Sequence, residues 1–225
     1  MKALLQTAHS KAPGRLGTVT TQVEIPAPGI ILPGELNEPA SGQGLVIFAH
    51  GSGSSRHSPR NRWVAQELAR AGFNTLLFDL LTRDEDQLET RFDIDLLSER
   101  LKAAWEWARP REERIGFFGA STGAAAAIRV AAELVDQVAA VVSRGGRPDL
   151  VLEWLPRLKS PLLLLVGGED PAVLAYNQAA YRKVNFPKEL YIVPGATHLF
   201  SEPGALEVVA QQAKTWFSLY LAGQS

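Results

Sequence analysis

The sequence has 225 residues, 46% of them hydrophobic and 21% charged, with a formal net charge of −1. This length and composition are typical of one soluble globular domain with a sizeable core. A nearly neutral chain without a dense basic cluster has no field that attracts nucleic acid, so we expect no nucleic-acid partner. Cysteine is absent, which excludes disulfides, thiolate metal sites and a cysteine nucleophile.

Apolar runs are too short for export or membrane insertion. Residues 1–5 form an apolar stretch below the length of a signal peptide, and no run approaches a membrane span. We therefore expect a cytoplasmic protein without a membrane partner. Nothing in the sequence indicates the oligomeric state.

Short apolar runs alternate with helical patterns along the chain. Residues 1–17 contain proline and glycine with little periodicity, which predicts a loosely held N-terminal segment before a single domain at 18–225. Strands are predicted at 18–25, 30–36, 45–49, 75–81, 115–118, 138–142, 161–166 and 190–193. Helices are predicted at 63–71, 96–108, 124–134, 172–183 and 205–221, with one short helix within 149–158. This alternation predicts an α/β fold with a mainly parallel sheet flanked by helices and no sizeable lid.

The pentapeptide from Gly119 to Gly123, Gly-Ala-Ser-Thr-Gly, lies between the strand at 115–118 and an alanine-rich helix. A Gly-x-Ser-x-Gly sequence in this setting predicts a nucleophile elbow, in which a tight turn exposes the serine hydroxyl above the sheet. The glycines are needed because larger side chains on either side of the turn would collide. Ser121 is therefore the predicted nucleophile.

A serine hydroxyl needs a base to take its proton and an acid to orient that base. Of the four histidines, His9 lies in the N-terminal segment, while His50 and His57 follow the third strand. His198 follows the last strand, and the carboxyl ends of parallel strands converge on one crevice, so His198 is the predicted base. His50 is a weaker alternative, since a histidine that ends a buried strand more often braces the loop.

The acid is expected on the loop after the strand at 161–166, between the serine and the histidine in chain order. Both Glu169 and Asp170 lie there, and Asp170 is favoured because Pro171 restrains its backbone. The oxyanion needs hydrogen-bond donors. We predict the backbone amide of Thr122, directly after the nucleophile, and that of Ser52 in the glycine-rich loop after the third strand.

These motifs together resemble the α/β-hydrolase superfamily, and within it the dienelactone hydrolase family of small, lidless enzymes. The likeness covers nearly the whole length and includes His-Gly-Ser-Gly at 50–53, Gly-Glu-Asp at 168–170 and Gly-Ala-Thr-His at 195–198. Dienelactone hydrolases proper carry cysteine where this chain has Ser121. The resemblance therefore implies a serine hydrolase for a small ester, lactone or thioester. No metal-ligand spacing or phosphate loop occurs, so no metal or cofactor is implied.

Two other kinds of function remain open. A peptidase or acyltransferase of the same fold would carry the same motifs. A non-catalytic binding or scaffolding protein of this fold would be expected to have a broken triad, whereas the motifs here are intact.

Four arginines follow strands at the predicted catalytic edge, and arginine binds carboxylates and phosphates well. Arg56 and Arg60 follow the oxyanion loop, and Arg144 and Arg147 follow the strand at 138–142. The resemblance implies an anionic substrate, for which Arg56 and Arg144 are the favoured ligands. The alternative is that these arginines are solvated or pair with nearby acids such as Asp149.

Overall fold

The computed structural model describes residues 17–222, so the predicted N-terminal segment, apart from Gly17, lies outside the described residues. A central sheet is flanked by helices. Its strands are β1 (Val19–Ala27), β2 (Ile30–Glu38), β3 (Leu45–Ala49), β4 (Asn74–Phe78), β5 (Ile115–Ala120), β6 (Val141–Arg144), β7 (Leu162–Gly167) and β8 (Lys188–Val193). The helices are α1 (Pro59–Arg70), α2 (Ile94–Ala108), α3 (Thr122–Glu133), α4 (Pro171–Lys183) and α5 (Ala205–Tyr220).

The strand order is β1-β2-β4-β3-β5-β6-β7-β8. β1 and β2 form an antiparallel hairpin, and β2 also pairs antiparallel with β4. The strands from β3 to β8 are parallel. The predicted mainly parallel α/β-hydrolase sheet is confirmed. Because β5 lies between β3 and β6, the loops that leave these three strands meet at one edge.

Side chains on the two faces of the sheet form two separate cores. Ile47 of β3 packs with apolar residues of α2, α3 and α4 on one face. Val46 and Phe48 point the other way and pack with α1 and α5. Every residue of β3, β5 and β7 is buried, as expected for strands covered on both faces.

Many element boundaries differ from the predicted ones by one to four residues; β4, for example, ends at Phe78 and not at residue 81. Helix α1 begins at Pro59, earlier than the predicted residue 63, because the Ser58 hydroxyl caps it by accepting from the Asn61 amide at 3.4 Å. Strand β6 starts at Val141, where its pairing with β7 begins. The predicted helix within 149–158 is instead a pair of 3₁₀ turns, Pro148–Val151 and Leu155–Arg157.

Between β6 and β7 the described chain forms only these two short turns. No lid domain therefore covers the sheet edge at this point. Among residues 17–222, no helix is both long enough and apolar enough to cross a membrane.

Candidate active site

Ser121 lies at the junction between β5, which ends at Ala120, and α3, which begins at Thr122. Its backbone has φ 51° and ψ −118°, a conformation that residues other than glycine rarely adopt. The Ser121 hydroxyl does not cap α3, since no side-chain capping bond is formed. The turn thus holds a partly exposed hydroxyl at the amino end of a helix, where negative charge is favoured.

The two glycines of the motif are required by close backbone contacts. A β-carbon at Gly119 would lie 2.4 Å from the Cα of Ala124, and one at Gly123 would lie 2.3 Å from the carbonyl oxygen of Ala49. Real side chains do not approach backbone atoms so closely. The sequence motif predicts this requirement, since side chains larger than glycine would collide on either side of a nucleophile elbow.

The structure brings His198 and Asp170 together. The Nδ1 of His198 donates to Oδ2 of Asp170 at 2.7 Å, a short charge-assisted hydrogen bond. The side chain of His198 is 41% exposed, whereas that of Asp170 is 15% exposed. A proton fixed on Nδ1 leaves Nε2 as the free base. Glu169 is exposed and makes no such contact.

Backbone hydrogen bonds join the Asp170 turn to the loop that carries His198. The Gly168 amide donates to the Val193 carbonyl at 2.9 Å, and the Glu169 amide donates to the Ala196 carbonyl at 2.9 Å. A β-carbon at Gly167 would lie 2.3 Å from the Ala196 carbonyl oxygen, so only glycine allows this approach. The acid and the histidine are therefore held by one packed pair of loops.

The turn Gly145–Gly146 lies between His198 and Ser121. The His198 ring flanks Gly145, with Cε1 3.4 Å from the position that a β-carbon there would take. On either side of this turn, the Ser121 amide donates to the Arg144 carbonyl and the Arg147 amide donates to the Ser121 carbonyl, each at 3.2 Å. Within residues 17–222 no hydrogen bond joins the Ser121 hydroxyl to His198. In free hydrolases this bond is often long and tightens when substrate binds.

Ser52 and Thr122 line the same small cavity, which has room for about one water molecule. Gly51 allows the loop to pack against Ser121, because a β-carbon on it would lie 3.0 Å from Cβ of Ser121. Neither the Ser52 amide nor the Thr122 amide donates to another group among the described residues. Ser52 and Thr122, whose amides are the predicted oxyanion donors, therefore border one space large enough for an oxygen atom.

The candidate arginines differ in whether an acid compensates their charge. Arg56 donates to Asp79 through its guanidinium and, at 2.7 Å, through its backbone amide. Arg147 binds Asp149 through two hydrogen bonds of 2.9 and 2.7 Å. The charges of both are thus already paired, which weakens the prediction that Arg56 binds substrate.

Arg144 is 6% exposed and has no carboxylate partner in the described chain. One guanidinium nitrogen donates to Oδ1 of Asn61 at 3.3 Å, and the guanidinium lies over the ring of Phe200. Burial and, to a smaller degree, the nearby charge of Arg60 lower the pKa of Arg144 to about 10. A buried cation without an acid is costly, so Arg144 remains the stronger of the two candidates.

Two supporting residues were not predicted. Asn177 of α4 is fully buried and donates to the Gly146 carbonyl at 3.0 Å, which fixes the turn beside Ser121. Glu202 accepts from the amide and the hydroxyl of Thr197, at 3.1 and 2.6 Å, next to His198. A polar residue on the buried face of a helix was the available signal for Asn177. Among the described residues, no group of three or more histidine or acidic side chains is placed to hold a metal ion.

Comparison with known proteins identifies relatives over most of the chain. Residues 33–220 match the model of the dienelactone hydrolase family. A solved structure of a dienelactone hydrolase from Anabaena variabilis is 49% identical, with a TM-score of 0.87 over 91% of this chain and 99% of that one. Est1E from Butyrivibrio proteoclasticus has a TM-score of 0.76 over 87% of this chain and 97% of its own, and at 18% identity this shows a shared fold.

Two curated relatives from Mycobacterium tuberculosis are provisionally named phosphoribosyl transferases. They are 49% identical over 207 residues, which make up 90% of this chain and 47% of the relatives. The chain therefore spans about half the length of these relatives.

Proposed function

Because the chain belongs to the dienelactone hydrolase family, we propose that it is a serine hydrolase that cleaves a small ester, lactone or thioester through an acyl-enzyme. The observation that carries this proposal is the His198–Asp170 hydrogen bond of 2.7 Å, beside a serine whose backbone is forced into a strained turn. Fold alone does not determine function, and this pairing is specific chemistry at the site.

In the proposed reaction, the Oγ of Ser121 attacks the carbonyl carbon of the substrate as Nε2 of His198 takes the hydroxyl proton. Asp170 keeps the other ring proton on Nδ1 and stabilises the imidazolium. The carbonyl oxygen becomes an oxyanion, which the amides of Ser52 and Thr122 stabilise by hydrogen bonds. His198 then gives its proton to the leaving alcohol or thiol. Water, activated by the same base, hydrolyses the acyl-enzyme.

The open edge of the sheet supports the proposal that the substrate is small. Only two 3₁₀ turns occur between β6 and β7, so this stretch supplies no roof over a long acyl chain. We therefore propose that short acyl groups are hydrolysed faster than long, lipid-like ones.

The positive charge of Arg144, which no acid compensates among the described residues, supports the proposal that the substrate is an anion. Arg144 ends β6, and its carbonyl oxygen accepts from the Ser121 amide. Its guanidinium contacts Asn61 and the ring of Phe200, which lies two residues after His198. Positive charge in a low-dielectric crevice attracts anions and is poorly screened there. We propose that esters bearing a nearby negative charge bind best. Arg56, already paired with Asp79, is not needed for this preference.

Replacing Arg144 with Gln tests this preference. The KM for an anionic ester should rise roughly tenfold, which corresponds to one charge-assisted hydrogen bond, while the KM for its neutral analogue stays the same. Arg147→Gln is the matched control, because Arg147 is already paired with Asp149. Equal effects on both esters would contradict an anionic preference.

A panel of short and long esters, lactones and thioesters, compared by kcat/KM, tests the proposed activity. Ser121→Ala should abolish turnover and labelling by a fluorophosphonate probe, because the probe reacts with the activated serine. Full labelling of the variant would exclude Ser121 as the nucleophile. A folded protein with neither turnover nor labelling would indicate the non-catalytic alternative. A peptidase or an acyltransferase would also be labelled, but a peptidase would cleave a peptide panel with a higher kcat/KM than the esters, and an acyltransferase would pass the acyl group to an added alcohol or amine faster than to water.

A further inference from the structure

His50 is a buried histidine that the proposed triad does not use. It follows β3 and is 5% exposed, and both of its ring nitrogens have backbone partners. Nε2 lies 3.0 Å from the amide nitrogen of Leu80, and Nδ1 lies 3.1 Å from the carbonyl oxygen of Gly51. The ring therefore joins the ends of the neighbouring strands β3 and β4.

The partners assign the position of the ring proton. A backbone amide can only donate, so Nε2 must accept from Leu80 and cannot carry a proton. The proton of the neutral ring is then on Nδ1, which donates to the Gly51 carbonyl. Burial is the main cause of the lowered pKa of His50, and it keeps this neutral form. Asp79 and Asp86 act in the opposite direction with smaller effect.

The Gly51 carbonyl belongs to the same planar peptide unit as the Ser52 amide. A hydrogen bond that fixes the direction of the Gly51 carbonyl also fixes the direction of the Ser52 amide, since C=O and N–H point to opposite sides of a trans peptide. The Gly51 carbonyl also accepts from the Ser54 amide at 3.1 Å, within the same loop. Of the two groups that donate to the Gly51 carbonyl, the Ser54 amide belongs to the same loop. The His50 ring is anchored outside the loop, by its hydrogen bond with the Leu80 amide.

We propose that His50 is a positioning residue for the oxyanion site. It holds the Gly51–Ser52 peptide so that the Ser52 amide faces the cavity shared with Thr122. Its hydrogen bond to the carbonyl also polarises the peptide, which makes the Ser52 amide a stronger donor. This inference rests on the proposed hydrolase function and adds to it the residue that orients one oxyanion donor.

Two substitutions separate the two hydrogen bonds of His50. His50→Asn keeps a donor near the position of Nδ1 and so retains the bond to Gly51, but its side chain is too short to reach Leu80. His50→Gln places an acceptor near the position of Nε2 for the Leu80 amide, but loses the donor to Gly51. Each variant lacks one neutral hydrogen bond, so the two variants should lose a similar amount of stability in urea unfolding.

We expect His50→Gln to lower kcat with little change in KM, because an oxyanion donor acts in the transition state. The loss should approach the ~10²–10³-fold effect of removing one such donor. His50→Asn should retain most of the wild-type kcat. Affinity for a trifluoromethyl ketone, which forms a tetrahedral adduct with the serine, should fall in parallel with kcat/KM.

Equal kcat values for the two variants, or a loss confined to KM, would overturn the positioning role. If Ser121→Ala keeps wild-type activity, the hydrolase proposal itself fails, and this inference fails with it. NMR of the ¹⁵N-labelled imidazoles in the wild-type protein tests the ring directly, even if both variants fail to fold. A neutral His50 with its proton on Nδ1 is the expected result, and a proton on Nε2 would overturn the inference.

Discussion

The two acidic residues that follow β7 have different surroundings. Asp170 is 15% exposed and accepts a hydrogen bond from His198, while the neighbouring Glu169 is exposed to solvent. An acceptor that contacts the ring and is largely shielded from water can hold the imidazole in one tautomer, whereas an exposed side chain without that contact cannot. The two positions therefore allow a test in which adjacent residues of similar chemistry should differ sharply.

Asp170→Asn should lower kcat by several orders of magnitude, because an amide can leave the histidine in the wrong tautomer. The corresponding change in serine proteases costs about 10⁴-fold. Glu169→Gln, the matched control, should change kcat little. Steady-state kinetics on the best ester of the panel will measure both. A reversed order of effects would identify Glu169 as the acid.

At the scale of the element, the strand–turn–helix unit from β5 to α3 depends on contacts between backbone atoms. The chain passes from strand to helix at a single residue, so α3 begins directly against β5. Packed backbone cannot shift as a flexible side chain can. The unit should therefore tolerate change poorly at Gly119 and Gly123, whatever the chemistry of the site.

Gly119→Ala should destabilise the fold by about 3 kcal/mol or more, because its new methyl group would meet the backbone of Ala124 at 2.4 Å. Gly168→Ala is the control, since the nearest atom there would lie at an ordinary contact distance of 3.4 Å. Urea unfolding of the two variants gives the comparison. Similar free energies of unfolding would show that the elbow can relax around a side chain.

The sequence predicts secondary-structure elements and motifs better than it predicts which distant side chains form hydrogen bonds with each other. The positions of Ser121, Asp170 and His198 follow from a strand-ending motif and from chain order, and both signals are local or topological. The hydrogen bond of Arg144 with Asn61 joins residues 83 positions apart, and no local pattern encodes it. Helix α1 began earlier than predicted because its cap at Ser58 lies outside the apolar periodicity.

At the scale of the whole molecule, the stability of the fold should depend on pH through His50. Burial lowers the pKa of His50 in the folded state from its ordinary value of 6.5. Between the two pKa values the unfolded chain binds more protons, so stability rises with pH. The contribution is complete above pH 6.5 and is lost as the pH falls below it.

The free energy of unfolding should therefore fall between pH 7 and pH 5, by at most about 1.4 kcal/mol per pH unit for this group. His50→Asn, which cannot titrate, should show a correspondingly smaller slope. Urea unfolding at several pH values compares the two proteins. Parallel slopes would mean that His50 is protonated as easily in the folded protein as in the unfolded chain.

Under the proposed mechanism, the left-handed backbone of Ser121 means that the protein gives up thermal resistance to keep a reactive hydroxyl. A non-glycine residue in such a conformation costs roughly 1–3 kcal/mol, and glycine adopts it without this cost. Ser121→Gly should thus melt at a higher temperature than Ser121→Ala, which keeps the β-carbon, and higher than the wild type. No capping bond is lost in the exchange, since the serine hydroxyl makes none. The inactive enzyme would then be the more heat-resistant one, and selection for activity alone would keep the weaker fold.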